Sequence, residues 1–339
     1  MKILIVGQFK IWALENHYAR YLKEYAEIET FPAEDIFDDY YQPSLLNKVK
    51  VKLGSKAIYQ KISKELIAKI KSCHPDIIWV FKGMRIWPET ILAIKKMGIK
   101  IVNYNPDHPF EYHSKGSGNE NVRNSVRYYD LHFTYSRNIQ ERIISEYQLR
   151  TEFLPFGFEM SEIIFDEIQN GAEINAICFI GNPDKTRIEY LTALAEEGLE
   201  VHVYGNFWDK AMPKMPNIKI GGPIHDLEFW QKMHNYRVQL NVFRPHNFGS
   251  HNMRTFEIPA AGSIMLGPTS REHNEFFKDK EEVFLYASKK EMVAKAKEIL
   301  NMPDTAASVI GNNARQRSLI SGYSYKDRAK QVYEIFNTL

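Results

Sequence analysis

Two cysteines, Cys73 and Cys178, are all that 339 residues contain, and neither sits in a metal-type spacing. That excludes a disulfide scaffold and a cysteine-based zinc site, and it fits reduced thiols in a cytoplasmic protein. No apolar run approaches the ~18 residues of a membrane span. The opening Met1-Lys-Ile-Leu-Ile-Val-Gly7 has one charge and too short an apolar run for a signal peptide. An excess of one charge is missing too. Lys and Arg number 44 against 42 Asp and Glu, a net +2, where a dedicated nucleic-acid binder is strongly basic. Neither a Gly-x4-Gly-Lys-Ser/Thr loop nor a Gly-x-Gly-x-x-Gly turn occurs, which counts against kinase, ATPase and dehydrogenase chemistry. Internal repeats and low-complexity tracts are absent as well.

What remains is an ordinary globular composition, 44% hydrophobic and 25% charged, at a length that suits two domains of about 150 residues. Short apolar runs alternate with helical patterns twice over. Lys2–Val6, Ile28–Phe31, Ile77–Phe81, Ile99–Asn103 and Leu131–Tyr135 read as buried parallel strands of a first half. Ala176–Ile180, Leu199–Tyr204, Val238–Phe243, Ser263–Leu266 and Val283–Tyr286 repeat the pattern in a second. Between them lie amphipathic stretches such as Ile58, Ile62, Leu66 and Ile70, which share one helical face. Two βα series predict an α/β protein of two Rossmann-like domains facing across a cleft, residues 1–158 and 172–318. The acid-rich segment Gly157–Glu173 is expected to connect them, and residues 319–339 read as a helical tail.

The stretch from Phe243 to Leu266 carries the most chemistry. It reads as a strand end, a polar loop, a short helix with one glutamate, a glycine and another strand. Asn252 can cap the helix, leaving free backbone N–H groups and a positive dipole end for an anion, with Arg254 beside them. Glu257, more than a turn along, suits ribose hydroxyls better than phosphate. Phosphate plus ribose means a nucleotide. Pro259 inside this helix should kink or shorten it. A second loop agrees: in Phe179-Ile-Gly-Asn-Pro-Asp-Lys-Thr-Arg187, Gly181 lets backbone approach a ligand while Lys185 and Arg187 can neutralise a diphosphate. Taken alone, that loop also fits an ordinary βα turn with two surface cations. Tyr204-Gly-Asn-Phe-Trp208 either flanks a base or sugar or is a turn with packed aromatics.

Asn252-Met-Arg-Thr-Phe-Glu257 followed by Ala260-Ala-Gly262, Phe276-Phe277, Tyr286 and Tyr323-Ser-Tyr-Lys-Asp-Arg328 resembles the nucleotide-sugar site of glycosyltransferases with the two-domain GT-B fold. The resemblance is nearest to the CgeB-like, family-1-like branch. It covers roughly 175–330 and is architectural before that. It implies a donor site of Gly181, Lys185, Arg187, Gly205, Arg244, Asn252, Met253, Arg254, Thr255 and Glu257, and a last helix that crosses back to the first domain. It also implies a leaving diphosphate stabilised by basic side chains and helix N-termini, with no metal and no cofactor besides the co-substrate. The absence of any Asp-x-Asp agrees, since that motif marks metal-dependent GT-A enzymes. The Glu-x7-Glu pattern of many retaining enzymes is incomplete, because the residue eight before Glu257 is Gly249; inversion is favoured.

An inverting enzyme needs a base for the acceptor hydroxyl, and Asn103-Tyr-Asn-Pro-Asp-His-Pro-Phe110 offers Asp107 or His108, although Asp107 in a Pro-flanked turn can equally bond its own backbone. With Glu111 and His113 these residues match no familiar metal spacing. Gly7, Gln8 and Lys82, with Arg85, are expected to shape the acceptor pocket, while His246 and His251 border the donor motif. Lys48–Lys71 carries eight lysines and one glutamate, and reads either as a solvated helix face or as a basic amphipathic helix touching anionic lipid at the inner face of the membrane. The expected function is transfer of a sugar from a nucleotide diphosphate sugar to a hydroxyl of a surface glycan, polysaccharide or glycoprotein. Its rivals are a nucleotide-sugar epimerase or hydrolase of the same architecture and a non-catalytic nucleotide-sugar or glycan-binding protein.

Overall fold

The structure, a computed structural model, describes residues 1–112, 116–244, 247 and 249–339. The chain divides into two compact units, Met1–Pro155 together with Tyr325–Leu339, and Phe156–Ser324.

In the first unit, β1 (Lys2–Val6), β2 (Glu27–Phe31), β3 (Ile77–Phe81), β4 (Lys100–Asn105), β5 (Leu131–Thr134) and β6 (Thr151–Phe153) form one parallel sheet in the order β2-β1-β3-β4-β5-β6. A parallel sheet is covered on both faces, so its central strands are apolar throughout; β3, Ile-Ile-Trp-Val-Phe, is buried at every position. Alternation along β1 sends Leu4 and Val6 to one face and Ile3 and Ile5 to the other. On the first face lies the helix Ala57–Cys73, whose Ile58, Ile62, Leu66 and Ile70 are buried against Ile78 and Val80. The apolar stripe of the lysine-rich stretch is therefore core. The helix Tyr325–Phe336 covers the other face through Ala329, Val332 and Phe336, next to Tyr18 and Leu22 of the helix Leu14–Leu22.

The second unit repeats the plan with β7 (Ile174–Ile180), β8 (Val201–Tyr204), β9 (Ile218–Gly221), β10 (Tyr236–Leu240), β11 (Met265–Pro268) and β12 (Phe284–Tyr286). Their order is β12-β11-β10-β7-β8-β9, all parallel, and the direction of winding reverses between β7 and β10. In the first sheet the reversal falls between β1 and β3. The fold is α/β with two Rossmann-like domains. The segment Gly157–Glu173, expected as a connection, contains the helix Glu162–Ile168, which buries Ile168 and is capped by Ser161.

Among the described residues no helix is long and apolar enough to cross a membrane. Ile62→Ala should lower unfolding free energy by about 2–5 kcal/mol, whereas Leu46→Ala, at a position 74% exposed, should stay within about 0.5 kcal/mol in urea titrations.

Candidate nucleotide-sugar site

Parallel α/β sheets bind ligands beyond their strand C-termini where the order reverses. In the second sheet that place is set by the loops after β7 and β10, and the residues singled out in the sequence come together on them. Gly181 follows β7 directly. Its N–H donates to Tyr204 O at 2.9 Å, and its carbonyl accepts from Trp208 Nε1 at 2.7 Å. Gly205 presses on the same peptide: a Cβ there would collide with the Gly181 carbonyl. Trp208 is thus a buried brace, while its neighbour Phe207 is 67% exposed in a left-handed conformation, φ 70°.

Arg187 lies in the first turn of the helix Lys185–Glu196, which Asp184 caps through the Arg187 N–H. Its guanidinium ties the two loops together, donating from Nη1 to Asn182 O at 2.9 Å and from Nη2 to Val242 O at 3.5 Å. Burial, then the Arg244 charge, pull it down to about 10; Asp184 opposes them, and Arg254 adds the smallest pull downward. Lys185 is exposed at the same helix start. Arg254 opens the helix Arg254–Ala260, donates from Nε to Ile180 O at 3.3 Å, pairs with Glu257 and lies 4.7 Å from the Phe229 ring centre. Three arginines thus surround one strand-end region, and their mutual repulsion is what an anion relieves.

The helix start is held by a reciprocal cap. Asn252 Oδ1 accepts the Thr255 N–H, and Thr255 Oγ1 accepts the Asn252 N–H, both at 3.2 Å. Asn241 fixes the Asn252 carboxamide from β10. The assigned helix begins one residue later than a strict Asn252 cap implies, within the usual ambiguity of helix ends. Among the described residues the backbone N–H groups of Met253 and Arg254 donate to no protein acceptor. Thr255 is fully buried, its hydroxyl 2.7 Å from His273 Nε2, so it supports the site from behind. The helix stops one residue past Pro259. Gly249, at the place of the first glutamate of Glu-x7-Glu, has φ 77°, a backbone that disfavours a side chain.

His251 does not face solvent. It is fully buried, with Nδ1 beside Glu272 and Nε2 accepting the Phe156 N–H at 3.2 Å. Phe276, Phe277 and Tyr286 are core residues, and Tyr286 Oη donates to Asn241 O at 2.9 Å. His113 and His246 lie outside the described residues. A cavity lined by Gly171, Arg237 and Gly262 is at the opposite, N-terminal edge of this sheet, and Arg237 is already taken by Glu173 and Asp304.

At the switch point of the first sheet, Gly7, Gln8 and Lys82 end β1 and β3. Lys82 has φ 55° and is bridged by Gly83 N–H to Phe81 O, a strained turn of the kind that clusters at functional sites. Its Nζ lies 2.7 Å from Asp107 Oδ2 and 3.3 Å from Gly116 O. The Asp107 N–H donates to Asn105 Oδ1 at 3.0 Å. His108 Nδ1 accepts the Phe110 N–H at 3.2 Å, which puts a neutral ring's proton on Nε2. Arg85 pairs with Glu34 at 2.9 Å. Glu15 escaped sequence reasoning. Its Oε1 accepts the Gln8 N–H at 2.9 Å, it is 8% exposed, and burial raises its carboxyl to about 7. Only a glutamate on an otherwise ordinary amphipathic face could have pointed to it. Among the described residues no group of three His, Cys, Asp or Glu side chains is placed to hold a metal ion.

Comparison with known proteins agrees with this geometry. Residues 187–334 match a family model described as glycosyl transferase-like. The Anabaena protein HepE, solved with UDP and with UDP-glucose, superposes with TM-score 0.66 at 16% identity, covering 100% of both chains. The chain shares the two-domain GT-B fold, and its second half carries the glycosyl transferase-like match. A glycosyltransferase from Rickettsia africae superposes at TM-score 0.67 and 13% identity, covering 99% of this chain and 98% of that one. A Listeria monocytogenes protein named for UDP-N-acetylglucosamine 2-epimerase activity is more distant, at TM-score 0.57, 12% identity and coverage of 98% and 95%. No curated protein matches the sequence. The family match does not single out the CgeB-like branch.

Glu15 gives the first unit a pH signature. Its folded value lies above the unfolded 4.5, so between those values the native state holds a proton that the unfolded chain has released, and stability falls as pH rises. The loss from pH 5 to pH 8 should reach up to about 3 kcal/mol and vanish in Glu15→Gln, as urea unfolding of the two proteins at both pH values will show.

Proposed function

We propose that this protein is a glycosyltransferase that moves a sugar from a nucleoside diphosphate sugar, of the uridine class, to a hydroxyl of a glycan, polysaccharide or glycoprotein, without a metal and with inversion. The observation that carries the donor site is the convergence of Arg187, Arg244 and Arg254 on the loops after β7 and β10, with Arg187 held below the usual guanidinium range by burial and then by the Arg244 charge. Diphosphate oxygens would take the Arg244 and Arg254 guanidiniums and the N–H groups of Met253 and Arg254, with Gly181 giving close backbone approach and Lys185 adding charge from the rim. Arg187 would hold both loops in register. Glu257 would exchange part of its pairing with Arg254 for ribose hydroxyls, and Phe207 offers an exposed ring to the base or sugar. HepE in complex with UDP and UDP-glucose supports the choice of base.

The chemistry asked of the donor site is stabilisation of the charge that builds on the leaving diphosphate. Preorganised donors of this kind are each worth about 2.7–4 kcal/mol of barrier. Asp107 or His108 would take the acceptor's proton beside Lys82, which would hold the acceptor together with Gly7 and Gln8. Asp107 is held by Lys82, and His108 presents Nε2–H, whereas burial raises the Glu15 carboxyl to about 7, in the range a general base needs. The incomplete Glu-x7-Glu pattern, with Gly249 in a left-handed backbone, favours inversion. The enzyme would work in the cytoplasm, peripheral at the inner face of the membrane.

Thermal melting tests the donor site. UDP at 100 times its dissociation constant should stabilise the fold by about 2.7 kcal/mol, unaffected by EDTA and lost in Glu257→Ala and Arg254→Ala. No shift with UDP, GDP, CDP or TDP would sink the donor assignment. For the proton acceptor, Glu15→Gln and Asp107→Asn are compared in turnover with UDP affinity as control. The residue that serves as base should lose about 10²–10⁴-fold in kcat while UDP still binds.

A further inference from the structure

The helix Leu45–Lys52 presents its apolar side outward. Leu45, Leu46, Val49 and Leu53 are 79, 74, 52 and 82% exposed. At about 100° of rotation per residue they fall within an arc of roughly 100°. The opposite side is anchored, so the helix cannot roll to hide them. Asn47 Nδ2 donates to Tyr40 O at 2.9 Å, and Val51 packs against the core of the first unit. Surface helices ordinarily turn their apolar stripe inward, and a grouped exposed one marks a contact.

Charge says with what. Lys50 and Lys52 flank the apolar arc, one at each edge, and both are exposed. Lys48 and Lys56 lie close by, 5.8 and 5.9 Å from the ring centres of Tyr41 and Trp87. No aspartate or glutamate occurs from Tyr40 to Lys64. Among the described residues of that stretch, Lys61 is the lysine in an ion pair, with Glu65. The loop after β1 adds Ile11 and Trp12, 81 and 59% exposed. Lys10 of that loop is tied to Asp38, on the same helix Ala33–Tyr41 that holds Asn47 through Tyr40. Leucines within a border of unpaired lysines fit an interface whose interior is hydrocarbon and whose surface is phosphate.

We propose that this face docks the first unit onto an anionic lipid surface, with Leu45, Leu46, Val49 and Leu53 entering the acyl boundary and Lys48, Lys50, Lys52 and Lys56 meeting headgroup phosphates. The inference is independent of the donor site. It moves the lipid contact from the long lysine-rich helix, whose stripe is core, to the shorter one before it.

Sedimentation of the full chain with vesicles tests it. Vesicles of phosphatidylcholine with 40% phosphatidylglycerol (about that fraction suffices for a strongly negative surface) should bind the protein, and pure phosphatidylcholine vesicles should not. Leu46→Ser/Leu53→Ser should weaken binding at least about tenfold with an unchanged melting temperature, because both side chains are already in water. Lys50→Gln/Lys52→Gln should weaken it comparably and flatten its salt dependence. Failure of the wild type to bind the anionic vesicles, or equal binding by the serine variant, overturns the proposal. So does a wild-type dimer in lipid-free ultracentrifugation that the serine variant dissolves, since the face then belongs to a second copy. UDP stabilisation, read on the same variants, should be intact in every case, so failure here leaves the donor assignment standing.

Discussion

The reversal of strand order between β7 and β10 is the constraint on which the rest of the second unit depends. Right-handed crossovers that set off in opposite directions lay their helices on opposite faces, so neighbouring strands send their loops apart and leave backbone groups uncovered between them. The chain holds that opening in shape from both sides. Arg187 bridges the carbonyls of Asn182 and Val242, Asn241 fixes Asn252, and Trp208 and Gly205 lock the Gly181 peptide. Each of these contacts removes freedom from a loop before any ligand arrives, so less ordering has to be bought from binding energy.

Electrostatics completes the picture. Burial first, and then the charges of Arg244 and Arg254, hold Arg187 below the usual guanidinium range, and the carboxylates beside these arginines, Asp184 and Glu257, compensate only in part. The first unit shows the converse arrangement at its own switch point. There Glu15 and Glu34 are buried carboxyls raised by desolvation, while Lys82 and Arg85 are held by Asp107 and Glu34. The two Rossmann-like units, ordered β2-β1-β3-β4-β5-β6 and β12-β11-β10-β7-β8-β9, thus carry opposite local biases, buried carboxyls at one switch point and clustered arginines at the other.

The buried strands were legible because a parallel sheet covered on both faces writes itself as unbroken apolar runs; Lys2–Val6 and Ile77–Phe81 match residue for residue. Two edge strands were missed. Thr151–Phe153 and Ile218–Gly221 are sheet edges, short and partly exposed, with polar residues between the apolar ones. That Gly181, Arg187, Asn252, Arg254 and Glu257 sit in the segments after β7 and β10 was legible from loop and helix patterns, but their packing partners were not. That Thr255 and His251 face inward, that Arg187 clamps loops, and that Glu15 is buried beneath Gln8 depend on packing partners far away in sequence. The lysine-rich stretch shows the limit most clearly. Its regular stripe, Ile58 to Ile70, is core, while the less regular Leu45, Leu46, Val49 and Leu53 stay outside, a difference no period reveals.

The central claim is that the opening between β7 and β10 holds the nucleoside diphosphate. Amide hydrogen exchange of the full chain with and without UDP reads this directly. The account predicts slowed exchange concentrated in residues 180–187 and 241–257. Protection confined to other parts of the chain, with these two loops unchanged at saturating UDP, would contradict it.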